Sequence, residues 1–280
     1  MITTAEAFRQ LQQGLAGRYG EREAGNIARI VFEDALSLYP PQGRAPLTEA
    51  QHRRLRRAAA RLQQGEPVQY VLGRADFYGL KLKVSPAVLI PRPETEELVH
   101  WVLEKEPADA LTALDIGTGT GCIPLSLKKH RPDWALSAVD VSQAALATAR
   151  ENAALLGLAV AFQQLDVLQE TQWAQLPVFD LILSNPPYIP PSQASLMPDQ
   201  VLGYEPRIAL FTESEDALEF YNAIGRLARQ KLKEGGRLYF ELNEFNGQQV
   251  AEAIERQGFD AVELQQDMSG KLRMLRALAP

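Results

Sequence analysis

The chain has 280 residues, 46% hydrophobic and 23% charged, the balance of a soluble globular protein able to bury a substantial core. With 29 basic and 35 acidic side chains its net charge is −6, which argues against a protein that coats nucleic acid. A single cysteine, Cys122, excludes an intramolecular disulfide and a cysteine-rich zinc cluster.

The opening "MITTAEAFRQ" has no apolar core of signal-peptide length, and no later run approaches the roughly 18 apolar residues of a membrane span, so a cytoplasmic protein is expected. Up to about residue 72 the pattern is helical. Thr3 and Glu6 have capping-box spacing, with Phe8, Leu11 and Leu15 following at helical intervals. "AGNIARIVFEDALSLYP" puts Ile27, Ile30, Val31, Ala35 and Leu38 on one face and stops at Pro40 and Pro41. Thr48 with Gln51 forms a second capping box and opens "AQHRRLRRAAARLQQG", ended by Gly65. The five arginines from Arg53 to Arg61 can meet an acidic partner, but a solvated helix face is the plainer reading.

"DFYGLKLKV" then alternates as a strand pair does, and "SPAVLIPRPETEELVHWVLE" leads into a helix with Pro93 in its first turn. From Leu111 onward strand and helix patterns alternate. "LTALDIG", "WALSAVD", "AVAFQQLD", "FDLILS" and "RLYFEL" read as strands, separated by helical segments. Such alternation predicts an α/β fold, a mostly parallel sheet covered on both faces. "FDAVELQQD" and "KLRMLRALA" follow each other closely and predict a terminal antiparallel strand. His52, His100 and His130 have no metal-ligand spacing, and no metal is expected.

The chemistry gathers at the strand ends. "LDIGTGTG" closes one strand with Gly117, Thr118, Gly119, Thr120 and Gly121, a turn that lets a ligand lie against bare backbone. A dinucleotide motif would need glycine where Cys122 stands, and the GK[ST] ending of a phosphate loop is missing. Asp140 ends the next strand, where a carboxylate can accept both hydroxyls of a ribose. Asp166, followed by Val167, ends the third, where it can accept from an adenine amino group or, nearly as well, serve as a turn aspartate. A glycine turn followed by two acids suits a nucleoside ligand without a phosphate grip, and S-adenosylmethionine fits better than NAD.

The fourth strand ends in "NPPY". Methyl transfer from a sulfonium is an in-line displacement, so the acceptor nitrogen must aim a lone pair at the methyl group. A planar NH₂ has that pair delocalised. Two acceptors, the Asn185 side-chain oxygen and the Pro186 carbonyl, can hold both N–H bonds and free the pair. Pro186 and Pro187 fix φ and keep the carbonyl in place, while Tyr188 can stack on the planar acceptor. The motif by itself admits an adenine amine as readily as a glutamine amide. A nucleic-acid amino-methyltransferase and a nucleoside-binding module without catalysis are therefore the rival readings.

Seven blocks carry a resemblance over nearly the whole chain: "GEPVQYVLG" (65–73), "VLIPRPETEELV" (88–99), "DIGTGTGCIPLSL" (115–127), "AVDVSQAAL" (138–146), "FDLILSNPPYI" (179–189), "YEPRIAL" (204–210) and "DMSGKLRML" (267–275). The chain resembles the HemK-type protein-(glutamine-N5) methyltransferases that modify class I peptide chain release factors. The resemblance implies a helical substrate-recognition domain at 1–73, a β-hairpin linker at 74–90 and a Rossmann-like, S-adenosylmethionine-dependent methyltransferase domain at 91–280. It implies cofactor contacts at Gly117 to Gly121, Asp140, Asp166, Val167 and Asn185, with Asn185 to Tyr188 cradling the acceptor glutamine and S-adenosylhomocysteine as product. A release factor is the expected partner, with no membrane or direct nucleic-acid contact, and the chain is expected to act as a monomer. Two departures stand out. Val167 occupies a place where the family often puts an aromatic near the adenine, and "ELNEFNGQQ" replaces a glycine-containing pattern.

Overall fold

The computed structural model describes residues 2–39 and 45–280, which fall into two units. The helix stop expected at Pro40 and Pro41 lies outside the described residues. One unit runs to Arg74 and also takes in Asp199–Tyr204; the other holds Ala75–Pro198 and Glu205–Pro280.

In the first unit α1 (Thr4–Leu36) starts with the expected capping box: Thr3 N–H donates to Glu6 Oε2 at 2.9 Å and Glu6 N–H to Thr3 Oγ1 at 3.3 Å. The run is broken at Gly20, whose φ of 76° and ψ of 159° no helix tolerates, so two helical segments share one label. The second segment buries Ile27 and Val31 as expected, but Ala28, Phe32 and Leu36 complete its inner face while Ile30 is only half-buried. Phe8 meets Phe32 edge-on at 5.4 Å. The helix α2 (Glu49–Gln63) is capped by Thr48 and Gln51 and buries Leu55, Ala58 and Leu62. Arg53, Arg54, Arg56 and Arg57 are exposed, the solvated face expected of them. Arg61 is different: it pairs with Glu66 at 2.5 Å and donates to the carbonyls of Tyr70 and Val71, locking on the short helix α3 (Val68–Leu72).

A hairpin follows, β1 (Arg74–Phe77) and β2 (Leu80–Lys83), all of it but Arg74 in the second unit. Tyr78 and Gly79 between them have φ of 45° and 73°, the left-handed pair that a tight two-residue turn requires. The hairpin packs into the unit that follows it. Phe77, Leu80 and Leu82 are buried with Leu98 and Trp101 of α4 (Pro93–Lys105), and Asn152 grips both backbone groups of Lys83 at 2.6 and 3.1 Å.

The remaining strands are β3 (Thr112–Ile116), β4 (Ala135–Asp140), β5 (Ala161–Gln164), β6 (Phe179–Ser184), β7 (Leu232–Glu241), β8 (Asp260–Gln266) and β9 (Leu272–Leu278). They form one sheet in the order β5-β4-β3-β6-β7-β9-β8. All pairs from β5 to β7 are parallel, and β9 runs antiparallel between β7 and β8. On one face lie α4, α5 (Cys122–His130) and α6 (Gln143–Leu156); on the other lie α8 (Glu219–Lys231) and α9 (Gly247–Arg256), while the short helix α7 (Asp199–Tyr204) belongs to the first unit. Strand β3 is buried on both faces: Ala113 packs into the first layer and Leu114 and Ile116 into the second. Each large aliphatic or aromatic side chain so buried contributes about 1.5–3 kcal/mol. The chain leaves β3 toward β4 and β5, then returns to place β6 on its other side. That reversal opens a crevice at the carboxyl ends of β3, β4 and β6, where open α/β sheets bind ligands.

Candidate active site

The glycine turn after β3 has two kinds of glycine. Gly117, Gly119 and Gly121 all have positive φ, of 75°, 54° and 80°. A Cβ on Gly117 or Gly119 would meet nothing within 4 Å, because these two face an open cleft. A Cβ on Gly121 would stand 3.1 Å from Leu125 and 3.3 Å from Ala149, so this glycine serves the packing of α5 against α6. Thr118 and Thr120 are buried behind the turn, at 4% and 1% exposure. Of the five residues expected to touch a ligand here, only Gly117 and Gly119 line the cleft.

Asp140 fixes the turn to the next strand. Its Oδ2 accepts from Gly119 N–H and its Oδ1 from Ser142 N–H, both at 2.9 Å. Burial pushes its carboxyl up, and those two N–H groups pull the other way. Asp115, wholly enclosed beneath the turn, is pushed up to about 7 by the same cause. Asp166 accepts from Leu168 N–H at 2.9 Å. Val167 is buried at the cleft wall, and Trp173 lies behind it in the core, donating its indole N–H to the Val167 carbonyl at 3.0 Å. The aromatic surface of the cleft comes instead from Phe211 and Phe220, which the sequence reading passed over. The wall of the cleft includes Gly117, Gly119, Asp140, Asp166, Val167 and Asn185.

A second cavity is lined by the whole of "NPPY". Asn185, Pro186 and Pro187 line both spaces, whereas Tyr188 lines only the second. Burial pushes the Tyr188 phenol up to about 12, so it stays neutral. The segment is held rigidly. Ser184 Oγ donates to the Ile116 carbonyl at 2.7 Å. Ile189 N–H donates to Leu210 O at 3.2 Å, and Thr212 N–H to Ile189 O at 3.0 Å, a parallel bridge between "NPPYI" and the stretch after "YEPRIAL". Glu205, in that block, is buried and accepts from Ile90 N–H at 3.2 Å and from Arg92 at 2.5 Å.

Asn185 Nδ2 donates to Thr95 Oγ1 at 3.2 Å, and Thr95 Oγ1 donates to Glu241 Oε2 at 2.6 Å. Thr95, Glu205 and Glu241 were not singled out from sequence. Thr95 and Glu205 sit inside "VLIPRPETEELV" and "YEPRIAL", and Glu241 closes a strand as Asp140 does, which is the signal that marks it. The arrangement suits group transfer between two planar or nucleoside ligands meeting at a shared wall. Among the described residues there is no cluster of metal-ligating side chains and no helix long and apolar enough to cross a membrane.

Comparison with known proteins bears on both units. A model described as the methyltransferase small domain matches residues 95–200, and one described as the PrmC N-terminal domain matches residues 6–73. A protein of Bacteroides thetaiotaomicron named release factor glutamine methyltransferase is 43% identical over 272 residues, covering 95% of this chain and 97% of its own. One of the same name from Cereibacter sphaeroides is 37% identical over 284 residues, covering 100% and 99%. Among solved structures, a methyltransferase from Pyrococcus furiosus aligns with a TM-score of 0.54 at 20% identity, covering 78% of this chain and 96% of that one. The 16S rRNA N2 G1207 methyltransferase of T. thermophilus, solved with AdoMet and guanosine, aligns at 0.53 with 17% identity, covering 74% and 50%. These two likenesses concern the fold.

Proposed function

The chain belongs to the release factor glutamine methyltransferases, and from that premise we propose that it methylates the side-chain amide nitrogen (N5) of the glutamine in the Gly-Gly-Gln tip of class I release factors, in the cytoplasm where these act. The methyl donor in this reading is S-adenosylmethionine, and S-adenosylhomocysteine is left. One observation carries it: Asn185, Pro186 and Pro187 are a wall common to the two cavities, so groups lodged in each meet there. Family membership sets aside the nucleobase amine that "NPPY" by itself allows.

The first cleft fits the donor. Bare Cα atoms at Gly117 and Gly119 leave room for a chain to lie along the turn. Asp140 retains acceptor capacity beyond its two backbone bonds for the ribose hydroxyls. Asp166 stands at the third strand end for the adenine amine, with Val167 and Phe220 on the apolar wall. When bound, the donor supplies an electrophilic methyl on a sulfonium.

On the acceptor side Asn185 Oδ1 and the Pro186 carbonyl take the two N–H bonds of the glutamine amide. This fixes the plane of the NH₂ group and aims its lone pair at the first cleft. The same oxygens stabilise the positive charge that grows on nitrogen as the S–CH₃ bond breaks and the N–CH₃ bond forms, and one of the two N–H protons is then lost to water. Tyr188, neutral, packs against the flat amide. Mass mapping of a purified release factor after incubation with enzyme and donor tests the whole reading.

Asp140→Ala is expected to weaken donor binding about 10- to 100-fold, because it removes a charged acceptor worth roughly 1.5–3 kcal/mol. It also frees the Gly119 N–H that pins the turn. Titration calorimetry on the folded variant checks this, and wild-type affinity would take Asp140 out of the site.

We assign recognition of the release factor's body to the helical unit, since every cleft-lining group named above lies in the other. Cross-links from a bound release factor should land within residues 2–74 and 199–204; cross-links confined to 75–198 and 205–280 would give that unit another purpose.

A further inference from the structure

We propose that Thr95 and Glu241 are positioning residues that decide which end of the Asn185 amide faces the acceptor glutamine. The inference rests on the reading above, in which Asn185 accepts an N–H bond. An asparagine amide has two ends of nearly equal size and shape. Only the oxygen end can accept from the substrate; the NH₂ end would face another NH₂ and repel it. Something must therefore choose.

The choice follows from counting protons along the chain of bonds. A carboxylate has none to give, so Glu241 Oε2 accepts from Thr95 Oγ1 at 2.6 Å. The hydroxyl has a single proton, and it is spent there. Toward Asn185 the same oxygen can only accept, at 3.2 Å, and this demands Nδ2 on that side. Oδ1 is then the end left for the cavity. Thr95 and Glu241 are 3% and 2% exposed, so water cannot readily substitute for either. Three elements hold the chain of bonds: the first turn of α4, the end of β6 and the end of β7.

The charges around Glu241 come from every side. Arg92 and Glu94 flank the entry to α4, and Arg273 comes from β9. Tyr188 follows β6, Cys122 opens α5, and Tyr221 of α8 donates to the Glu241 carbonyl at 3.0 Å. Burial pushes Glu241 up to about 7, with Thr95 and the two arginines opposing it and Glu94 adding to it. Tyr188 and Cys122 are pushed up to about 12 and stay neutral. A protonated Glu241 can donate to Thr95, which then turns its own proton toward Asn185 and favours the wrong end of the amide. Methyl transfer should accordingly fall as pH drops below about 7.

The test compares Thr95→Val, Thr95→Ser, Glu241→Gln and Asn185→Ala by single-turnover methylation of a release factor, with donor affinity measured alongside. Thr95→Val keeps the shape of the side chain and loses the hydroxyl; it should lower the transfer rate roughly 10- to 100-fold with donor affinity unchanged. Thr95→Ser should recover most of that loss. Adding Thr95→Val to Asn185→Ala should cost little more, because the two act on one bond. Glu241→Gln should flatten the acid side of the pH profile. A wild-type rate in Thr95→Val beside a slow Asn185→Ala overturns this inference alone, whereas a wild-type rate in Asn185→Ala overturns the reading it rests on. Should Thr95→Val fail to fold, Glu241→Gln decides: a flattened profile supports the inference and an unchanged acid limb overturns it.

Discussion

Asn185→Ala is expected to cut the single-turnover rate of methyl transfer by about 10²–10³ while the folded enzyme still binds its donor. The magnitude is that of removing one preorganised hydrogen-bonding group aimed at charge that develops in the transition state. Here the group is an acceptor facing an N–H that becomes more acidic as nitrogen is alkylated. Without it the glutamine amide has one fixed partner, the Pro186 carbonyl, and regains rotation about the other N–H. The donor cleft loses little, since the turn at Gly117 and Gly119 and the Asp140 bond to Gly119 stand on other elements. Rapid-quench measurement with saturating donor separates the chemical step from binding. A rate near that of the wild type would mean that Asn185 does not orient the acceptor.

The largest effect is expected on the substrate side. A release factor carrying glutamate for the Gly-Gly-Gln glutamine should gain no methyl group, while the unaltered factor gains one on the amide nitrogen in a donor-dependent manner. Glutamate has almost the same shape, so docking of the loop should survive. Its carboxylate offers no N–H to Asn185 Oδ1 or to the Pro186 carbonyl. Two acceptors would instead face an anionic oxygen, with Glu241 nearby on the same cavity wall. Leaving buried polar groups opposed in this way is what gives hydrogen-bonding sites their strong discrimination, of the order of 10⁴–10⁵. Peptide mapping by mass spectrometry reads the result directly. Methyl transfer that persists on the glutamate variant, or that appears only on DNA, would defeat the assignment of the acceptor.

What the sequence determined by itself lies within short spans of chain. Both capping boxes, Thr3 with Glu6 and Thr48 with Gln51, form as their spacing requires, because a helix start is settled within one turn. The glycine turn, Asp140, Asp166 and "NPPY" were legible for the same reason: each follows a strand of the parallel sheet, and the α/β alternation puts such ends on one edge. The break at Gly20 was not legible, since one glycine costs a helix only about 1 kcal/mol and tertiary packing decides whether the chain turns there. Nor was the split among the glycines, in which Gly121 faces Leu125 and Ala149 while Gly117 and Gly119 face the cleft. The insertion of β9 between β7 and β8, and the grouping of Asp199–Tyr204 with the N-terminal helices, likewise depend on the path of the whole chain. The bond from Asn185 to Thr95 spans 90 residues and that from Thr95 to Glu241 spans 146. No local preference reaches so far. Residue types and strand ends supply the donors and acceptors, but only the packing of α4 beside β6 and β7 brings a threonine hydroxyl between an amide and a buried carboxylate, and with it the direction in which Asn185 points.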